Sequence, residues 1–573
     1  MAIPPGRHAA PSTKSRETLN HTKLRQRLAL LTAAVSTLAA LPLAGAAHAA
    51  PALPGHQVDH LLHAVTGPDA RIADDTGRAV LLRGVNVNGL GQYYQEWPDL
   101  PATAGLAEDD FARIAATGAN VVRLIITWSL LEPTRGVIDQ GYLDRIAQAV
   151  EWARAHDIYV ILDMHQDAWG PAVDTPDGVW CPPFGNPAVG FDGAPAWATA
   201  LVGTSATCRF GERELSVAVQ TSFQNFYLDA GGVQSELVKV WGAVAARFAA
   251  DPAVAGYDLL NEPNPGLAIG YDDYVLLGNY YQRAISAIRS AEGKAPHGTG
   301  HIVFFEPSVI TGPLPVPGPQ AGFTGSGAGS ATGSAGSSDS AGSSGSAGSS
   351  GSGTGSAGSS VSGIGSAGGG VHDPNSVYAP HQYNESISPL GGTLAQGFAD
   401  TATAAKGYGT TFFNGEWGFW DHDQAVIADK VTRYAALEDR YRVGGTFWDW
   451  RQACGDPHNI QIRGTRPNCT AGEETGLEQD PAILTAVSRA YPRSAPGLLT
   501  GITADPATGT LTVTGTADHA GQAADLWAPA RCAHPAVTGT NVTGAQAQPV
   551  SGGWRVTAVV PGTGAYTVSI GCA

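Results

Sequence analysis

Charge is scarce in this chain of 573 residues. Only 14% are Asp, Glu, Lys or Arg, and Lys+Arg at 33 fall short of Asp+Glu at 50. A formal charge of −17 argues against a nucleic-acid binder, which needs a basic face. Methionine is nearly absent, at 2 against 13 Trp. Exposed tryptophans often line carbohydrate or lipid clefts, but Trp is also ordinary core filler, so the ratio alone decides nothing. The 6 cysteines include no CxxC spacing, which leaves no zinc site of that kind. No Gly-rich phosphate turn opens a βα unit, which argues against a doubly wound nucleotide-binding sheet. Beyond residue 49 no apolar run is long enough to span a bilayer.

What is present begins with an export signal. Arg7, Lys14, Arg16, Lys23, Arg25 and Arg27 stand against one acid, Glu17, ahead of an apolar run from Leu28 to Ala47. The run ends in Ala47-His48-Ala49, a small-x-small cleavage pattern, and its Ala, Ser, Thr and Pro content suits a signal peptide better than a membrane anchor. The expectation is a secreted chain. Loss of residues 1–49 removes six basic residues and one acid, taking the charge from −17 to −22. Such a surface has no electrostatic attraction to anionic membranes. The cysteines fit the same oxidising compartment. By proximity they pair as Cys181–Cys208, Cys454–Cys469 and Cys532–Cys572, although sequence alone does not fix connectivity.

Residues 322–370 are almost wholly Gly, Ser, Ala and Thr, with Gly-Ser-Ala-Gly-Ser-Ser recurring at 333–338, 345–350 and 355–360. This tract buries no apolar area and is expected to be a disordered insertion. Around it, short β-rich apolar runs alternate with amphipathic stretches. The candidate strands are 81–87, 121–126, 158–163, 254–260, 301–305, 377–379, 411–414 and 443–447. Eight such strands, each followed by a helix or long loop, predict a (β/α)8 TIM barrel over 56–490, of class α/β. After Pro496 the pattern changes to period two, as in Leu511-Thr-Val-Thr. Residues 497–573 therefore read as a small C-terminal all-β domain, sandwich-like.

Polar residues collect at the expected strand ends, where barrels of this kind carry their chemistry. Arg123 lies in the second strand. The third ends Asp163-Met-His-Gln-Asp167, with His165 and Asp167. The fourth ends Asp258-Leu-Leu-Asn-Glu-Pro263, with Asn261 and Glu262. His381 and Tyr383 follow the sixth, Glu416 ends the seventh and Trp448 the eighth. A lone strand-end glutamate is more often a salt-bridged structural residue. Glu262 and Glu416 come as a pair, and glycoside hydrolysis needs two carboxyls flanking one bond. A hydrolytic metal site would need more ligands in metal spacing, so no metal or cofactor is expected.

Asn261-Glu262-Pro263, His381-x-Tyr383, Gly415-Glu416 and Trp448 together resemble glycoside hydrolase family five, of the retaining clan A. Within it the chain is most similar to the endoglycoceramidases, through Arg83-Gly-Val-Asn, Asp163-Met-His-Gln-Asp167, Gly193-Ala-Pro-Ala-Trp-Ala198 and Trp450-Arg-Gln-Ala-Cys-Gly-Asp-Pro-His458. The resemblance covers about residues 56–490. It implies Glu262 as acid/base and Glu416 as nucleophile, held ionised by Arg123 and Tyr383. Asn261 would bond the sugar 2-hydroxyl. His165, Asp167 and His381 would bind hydroxyls or orient the acids, with Trp448 as the platform under the sugar, while Asp163 reads as structural. The Gly/Ser tract and the first-strand loop Asn88-Gly-Leu-Gly-Gln-Tyr-Tyr94 depart from the family pattern.

The implied substrate is a glycan or glycolipid, cleaved between the glycan and a lipid aglycone such as ceramide. Residues 168–220, with Trp169, Trp180, Phe184, Phe191 and Trp197, would form an apolar rim for that aglycone, or ordinary loop packing. A β-glucanase or galactanase acting on polysaccharide is the alternative enzyme. A carbohydrate-binding protein on a dead barrel is the non-enzymatic one, disfavoured by the intact glutamate pair.

Overall fold

Eight parallel strands build the centre of the molecule: Arg83–Val87, Val121–Thr127, Tyr159–His165, Val254–Asp258, Ile302–Phe305, Ser376–Tyr378, Asn414–Trp417 and Gly445–Phe447. They are numbered one to eight below. The structure, a computed structural model, describes residues 56–92, 103–200, 204–211, 214–295, 300–309, 371, 373–386, 392–419, 424–451, 460 and 481–572. The signal segment 1–49, the tract 322–370 and the pair Cys454 and Cys469 lie outside them, as do Tyr93, Tyr94 and 452–459.

Hydrogen-bonded order in this sheet is seven, eight, one, two, three, four, five, six. Parallel bridges Tyr378–Phe412 and Gln382–Trp417 then join six to seven, so the sheet closes on itself as a TIM barrel. Every residue of strands one to five is buried, as expected for a sheet covered on both faces. Strand seven differs from its expected place: its ladder runs Asn414–Trp417 rather than 411–414, which brings Glu416 into the strand itself. The preceding Phe412 serves the closing bridge instead.

Helices pack outside the ring. One spans Gln140–Ala155, and Asp139 caps its N-terminus by accepting the Tyr142 N–H. Its apolar residues Leu143, Ile146, Val150 and Ala153 recur at helical spacing and are all buried. Val233–Phe248 and Leu277–Glu292 follow the same rule beside strand four.

The C-terminal residues form two antiparallel sheets. One holds Leu498–Ala504, Leu511–Ala517, Gly564–Cys572 and Pro535–Thr540. Alternate burial along Leu511–Ala517 is the period-two pattern of a strand with one face in a core. The other sheet has seven strands, and three of them come from ahead of the barrel: Leu62–Val65, Arg71–Asp74 and Ala79–Val80. Residues 62–80 therefore share their sheet with Tyr491–Ala495, Gln522–Pro529, Gly553–Val560 and Thr543–Val550. Cys532 and Cys572 are bonded and tie this region together, and Cys181 is bonded to Cys208 in the segment after strand three.

Barrel and β-sheets meet through a buried ionic junction. Asp157 accepts from Arg493 Nη2 at 3.0 Å and from Arg555 Nη1 at 2.7 Å, and Arg555 also pairs with Asp525. Burial pushes the Asp157 carboxyl up, but the two guanidinium charges outweigh it and hold it below the usual carboxylate range. Beside it the Tyr491 hydroxyl donates to the Gly118 carbonyl at 2.8 Å. A Cβ on Gly118, whose φ is +88°, would stand 2.3 Å from the Trp527 ring, so only glycine admits this approach.

Removing one partner of such a pair leaves buried charge uncompensated. Asp157→Ala should lower stability by about 3–5 kcal/mol in urea unfolding, with no change in turnover per folded molecule. A loss under about 1 kcal/mol would show that solvent already compensates the two arginines.

Candidate active site

Strand alternation places Val121, Arg123 and Ile125 on one face of strand two. The Arg123 guanidinium, fully buried, touches four carboxylates from four other strand ends. Nη1 donates to Glu416 Oε1 at 2.7 Å, Nε to Asp258 Oδ2 at 2.8 Å and Nη2 to Glu306 Oε1 at 2.9 Å, while Nη2 also ion-pairs with Asp163 Oδ1 at 2.9 Å. Asn86 Oδ1 at 3.1 Å and Asn261 Oδ1 at 3.0 Å complete its partners. Burial opposes the charge, but the four acids raise the Arg123 pKa well above its ordinary value. It is a permanent cation.

Around this cation the two glutamates converge. Glu416 accepts a second bond at Oε2 from the Tyr383 hydroxyl, at 2.9 Å. His381 Nδ1 lies 2.9 Å from Glu262 Oε1 and 3.5 Å from Glu416 Oε2, bridging the pair. One oxygen of Glu262 and one of Glu416 are within 4.8 Å of each other. Their surroundings differ. The Glu262 side chain is 17% exposed and the Glu416 side chain 5%, so Glu262 is the more open to a ligand.

Glu262 sits at φ +38°, a left-handed backbone unusual outside glycine. Bonds from both sides hold it there. Its N–H donates to Glu306 Oε2 at 2.8 Å, and Gln166 Nε2 donates to its carbonyl at 2.9 Å and to that of Asn261 at 2.8 Å. Asn261 Nδ2 returns a bond to the Gln166 carbonyl at 3.0 Å.

His165 ends strand three, with Nδ1 2.7 Å from Asp163 Oδ2 and Nε2 3.5 Å from Asp167 Oδ2. Burial alone would lower its pKa, yet the charge and hydrogen bond of Asp163, joined by Asp167, raise it well above the ordinary histidine value. The Trp448 indole stacks on this imidazole, with centroids 5.3 Å apart and planes 12° apart. One face of Trp448 is thus already taken. His381 behaves like His165: burial opposes, but Glu306, Glu416 and Glu262 raise it well above the usual value.

Of the nine residues singled out from the sequence, Arg123 and Glu416 lie within their strands and the other seven at or past C-terminal strand ends, and all nine join one contact network. Asp167 and Trp448 meet it at His165. Sequence reasoning missed Glu306, Asp258, Gln166 and Asn86. The signal for Glu306 was present: Phe304-Phe305-Glu306-Pro307 repeats the apolar-strand, Glu-Pro ending seen at Glu262. In the long segment after strand three, Trp169 is buried against Trp128 and Phe223, and Trp197 packs on Trp128. Trp180 and Phe184 are exposed, at 73% and 96%.

A closed barrel with paired glutamates at its C-terminal mouth is an arrangement that can perform glycoside hydrolysis. The family model "Cellulase (glycosyl hydrolase family 5)" matches residues 73–453, and the chain belongs to that family. It is 32% identical over 205 residues to endoglycoceramidase I of Rhodococcus hoagii, covering 34% of this chain and 36% of that protein. With the endoglycoceramidase of Hydra vulgaris it shares 28% over 259 residues, 41% of this chain and 47% of the other. The chain thus spans between a third and a half of these curated relatives. A solved endogalactoceramidase superposes with TM-score 0.72 at 36% identity, over 89% of this chain and 99% of that one. Endo-glycoceramidase II from Rhodococcus sp., solved with ganglioside GM3, gives TM-score 0.62 at 25%, over 88% and 99%.

Next to the site, the buried Asp192 accepts the Gln92 N–H, and its own carbonyl accepts the Asp167 N–H at 2.9 Å. Burial pushes its carboxyl up to about 7, against the opposing His165 charge. A raised folded pKa means the folded state keeps a proton that the unfolded state, titrating near ~4, has lost, so stability falls as pH rises between these values. Asp192→Asn removes the titration. Its stability relative to wild type should be level below about pH 4, grow to a few kcal/mol by about pH 7 and then stay flat. A difference independent of pH in thermal melts would show that Asp192 does not titrate in this range.

Proposed function

We propose that this chain is a secreted retaining β-glycosidase that cleaves glycolipids between the glycan and a lipid aglycone such as ceramide. The observation that carries the reaction type is the approach of Glu262 and Glu416 to within 4.8 Å between oxygens. Retaining enzymes hold their carboxyls roughly 5–5.5 Å apart, whereas inverting ones leave roughly 6.5–9.5 Å for a water.

Glu416 is the nucleophile. Arg123 Nη1 and the Tyr383 hydroxyl hold its two oxygens and aim it at the anomeric carbon. Glu262 is the acid/base. It protonates the departing glycosidic oxygen while the Glu416–sugar ester forms, and then takes a proton from the water that breaks that ester. The solved lactosyl-enzyme intermediate of endo-glycoceramidase II supports a covalent route in a relative. Asn261, beside Glu262 and bonded to Arg123, is the partner for the sugar 2-hydroxyl. His165, Asp167, His381 and Trp448 shape the glycone pocket and orient the acids. Protonation and covalent catalysis suffice without a cofactor.

Two features favour a lipid aglycone. The relatives are named as glycoceramidases. Large apolar side chains also stand exposed on the loops after strands three and four: Trp180, Phe184, Phe210 and Leu215 on the first, Leu267, Ile269 and Tyr271 on the second. Secretion is supported by the N-terminal export pattern and the bonded cysteines.

Incubation with gangliosides and, separately, with soluble β-glucans tests the substrate. Thin-layer analysis should show intact glycan and free ceramide from gangliosides, with little product from glucans. Glu416→Gln and Glu262→Gln should each lower turnover about 100-fold or more without unfolding the barrel. Release from β-glucans alone would contradict the glycolipid reading, and unchanged turnover in either variant would remove that residue's role.

A further inference from the structure

Glu306 follows strand five, away from the two glutamates in sequence, yet its carboxyl meets the support of both. Oε2 accepts the N–H of Glu262 at 2.8 Å, Oε1 accepts from Arg123 Nη2 at 2.9 Å, and the same oxygen stands 3.2 Å from His381 Nε2 as an ion pair. Its own carbonyl accepts the Tyr281 hydroxyl at 2.9 Å, which fixes the strand end. The carboxyl is buried, so each oxygen spends its lone pairs on these partners rather than on water.

The contacts differ in what they control. Arg123 keeps three other carboxylates and two amide oxygens if Glu306 is removed. The bond from the Glu262 N–H acts directly on the backbone of a residue in the left-handed region, at φ +38°. Such a backbone persists only where its surroundings over-determine it. Gln166 clamps the carbonyl side of the same residue. His381, facing Glu306 with Nε2, faces Glu262 with Nδ1. Glu306 thus reaches the Glu262 carboxyl along two routes, one through its backbone and one through the histidine, and reaches Glu416 only through groups that have other anchors.

We propose that Glu306 is a positioning residue for the acid/base: it holds the backbone of Glu262 in its left-handed turn and faces His381 so that Nδ1 is directed at the Glu262 carboxyl. This rests on the double-displacement reading above. Burial pushes the Glu306 carboxyl up to about 8, while the charges of His381 and Arg123 oppose that shift and favour the ionised form. Asp163, Asp258, Arg123, His381, Tyr281, Tyr378 and the Glu262 backbone are among the polar groups that surround it.

The test compares two leaving groups on one sugar in the full chain. A dinitrophenyl β-glycoside departs without a proton, and an alkyl β-glycoside requires one. kcat/KM reports the first covalent step for each. Glu306→Leu should lower kcat/KM about 100-fold on the alkyl glycoside and less than about tenfold on the dinitrophenyl glycoside, the scale of lost acid catalysis. Glu306→Gln keeps an oxygen for the Glu262 N–H but loses the charge facing His381. It should show the same split with about a tenfold loss on the alkyl glycoside, and it decides the matter alone if the leucine variant does not fold. Equal losses on both substrates, or none, overturn the proposal, because a role through Glu416 or through the fold would not discriminate. Labelling of wild-type Glu416 by a 2-deoxy-2-fluoro glycoside separates the two levels: without that adduct the double-displacement reading itself fails, whatever Glu306 does.

Discussion

The constraint on which the site depends is the burial of the Arg123 guanidinium inside the barrel. A cation out of water is tolerated only when its donors are paired, and here four carboxylates and two amide oxygens pair them. Those acids sit on strands three, four and seven and just past strand five, so satisfying one side chain from strand two fixes the relative placement of most of the barrel mouth. The same arithmetic produces a shortage of positive charge. Four acids around one arginine cannot all ionise cheaply, and burial lifts Asp258 and Glu306 above the usual carboxylate range. Glu416 takes the shortest of the four contacts, from Nη1, together with the Tyr383 hydroxyl.

From this arrangement two chemically identical side chains acquire different tasks. Glu416 is drawn into the arginine's field and held at both oxygens. Glu262 faces His381, is the more exposed of the two, and depends on its backbone for aim. One carboxyl is suited to attack, the other to exchanging a proton with a departing or arriving oxygen. The structure outside the mouth serves to keep these positions. The helices bury the outer faces of the strands, and the Asp157 junction anchors the β-sheets to the loops at the ends of the helices.

How far the sequence could be read follows from the range of the interactions involved. Strands announce themselves locally as apolar runs, and a polar residue ending or interrupting such a run is conspicuous, so Arg123, His165, Glu262, His381 and Glu416 could be picked out one strand at a time. Glu306 ends a run in the same manner and shares the Glu-Pro ending without the preceding Asn, and its meaning appears only when Arg123 and the Glu262 N–H are seen beside it. Asp258 stood in a stretch already singled out; nothing local shows that it reaches strand two. The pairing of Ala79–Val80 with Tyr491–Ala495 joins segments more than four hundred residues apart, and no periodicity in either one encodes the partner. Within the apolar segment after strand three, composition could not sort core from rim. Trp169 and Trp197 pack inward, while Trp180 and Phe184, next to the bonded Cys181, remain exposed.

The most direct test of the central claim, that Glu262 and Glu416 act as a retaining pair, is the anomeric configuration of the first-formed sugar. Proton NMR of an aryl β-glycoside turned over faster than its product mutarotates reads it without ambiguity. The account predicts that the β-anomer appears first and the α-anomer only later, at the mutarotation rate. Initial release of the α-anomer would mean that water, rather than Glu416, attacks the sugar, and would contradict it.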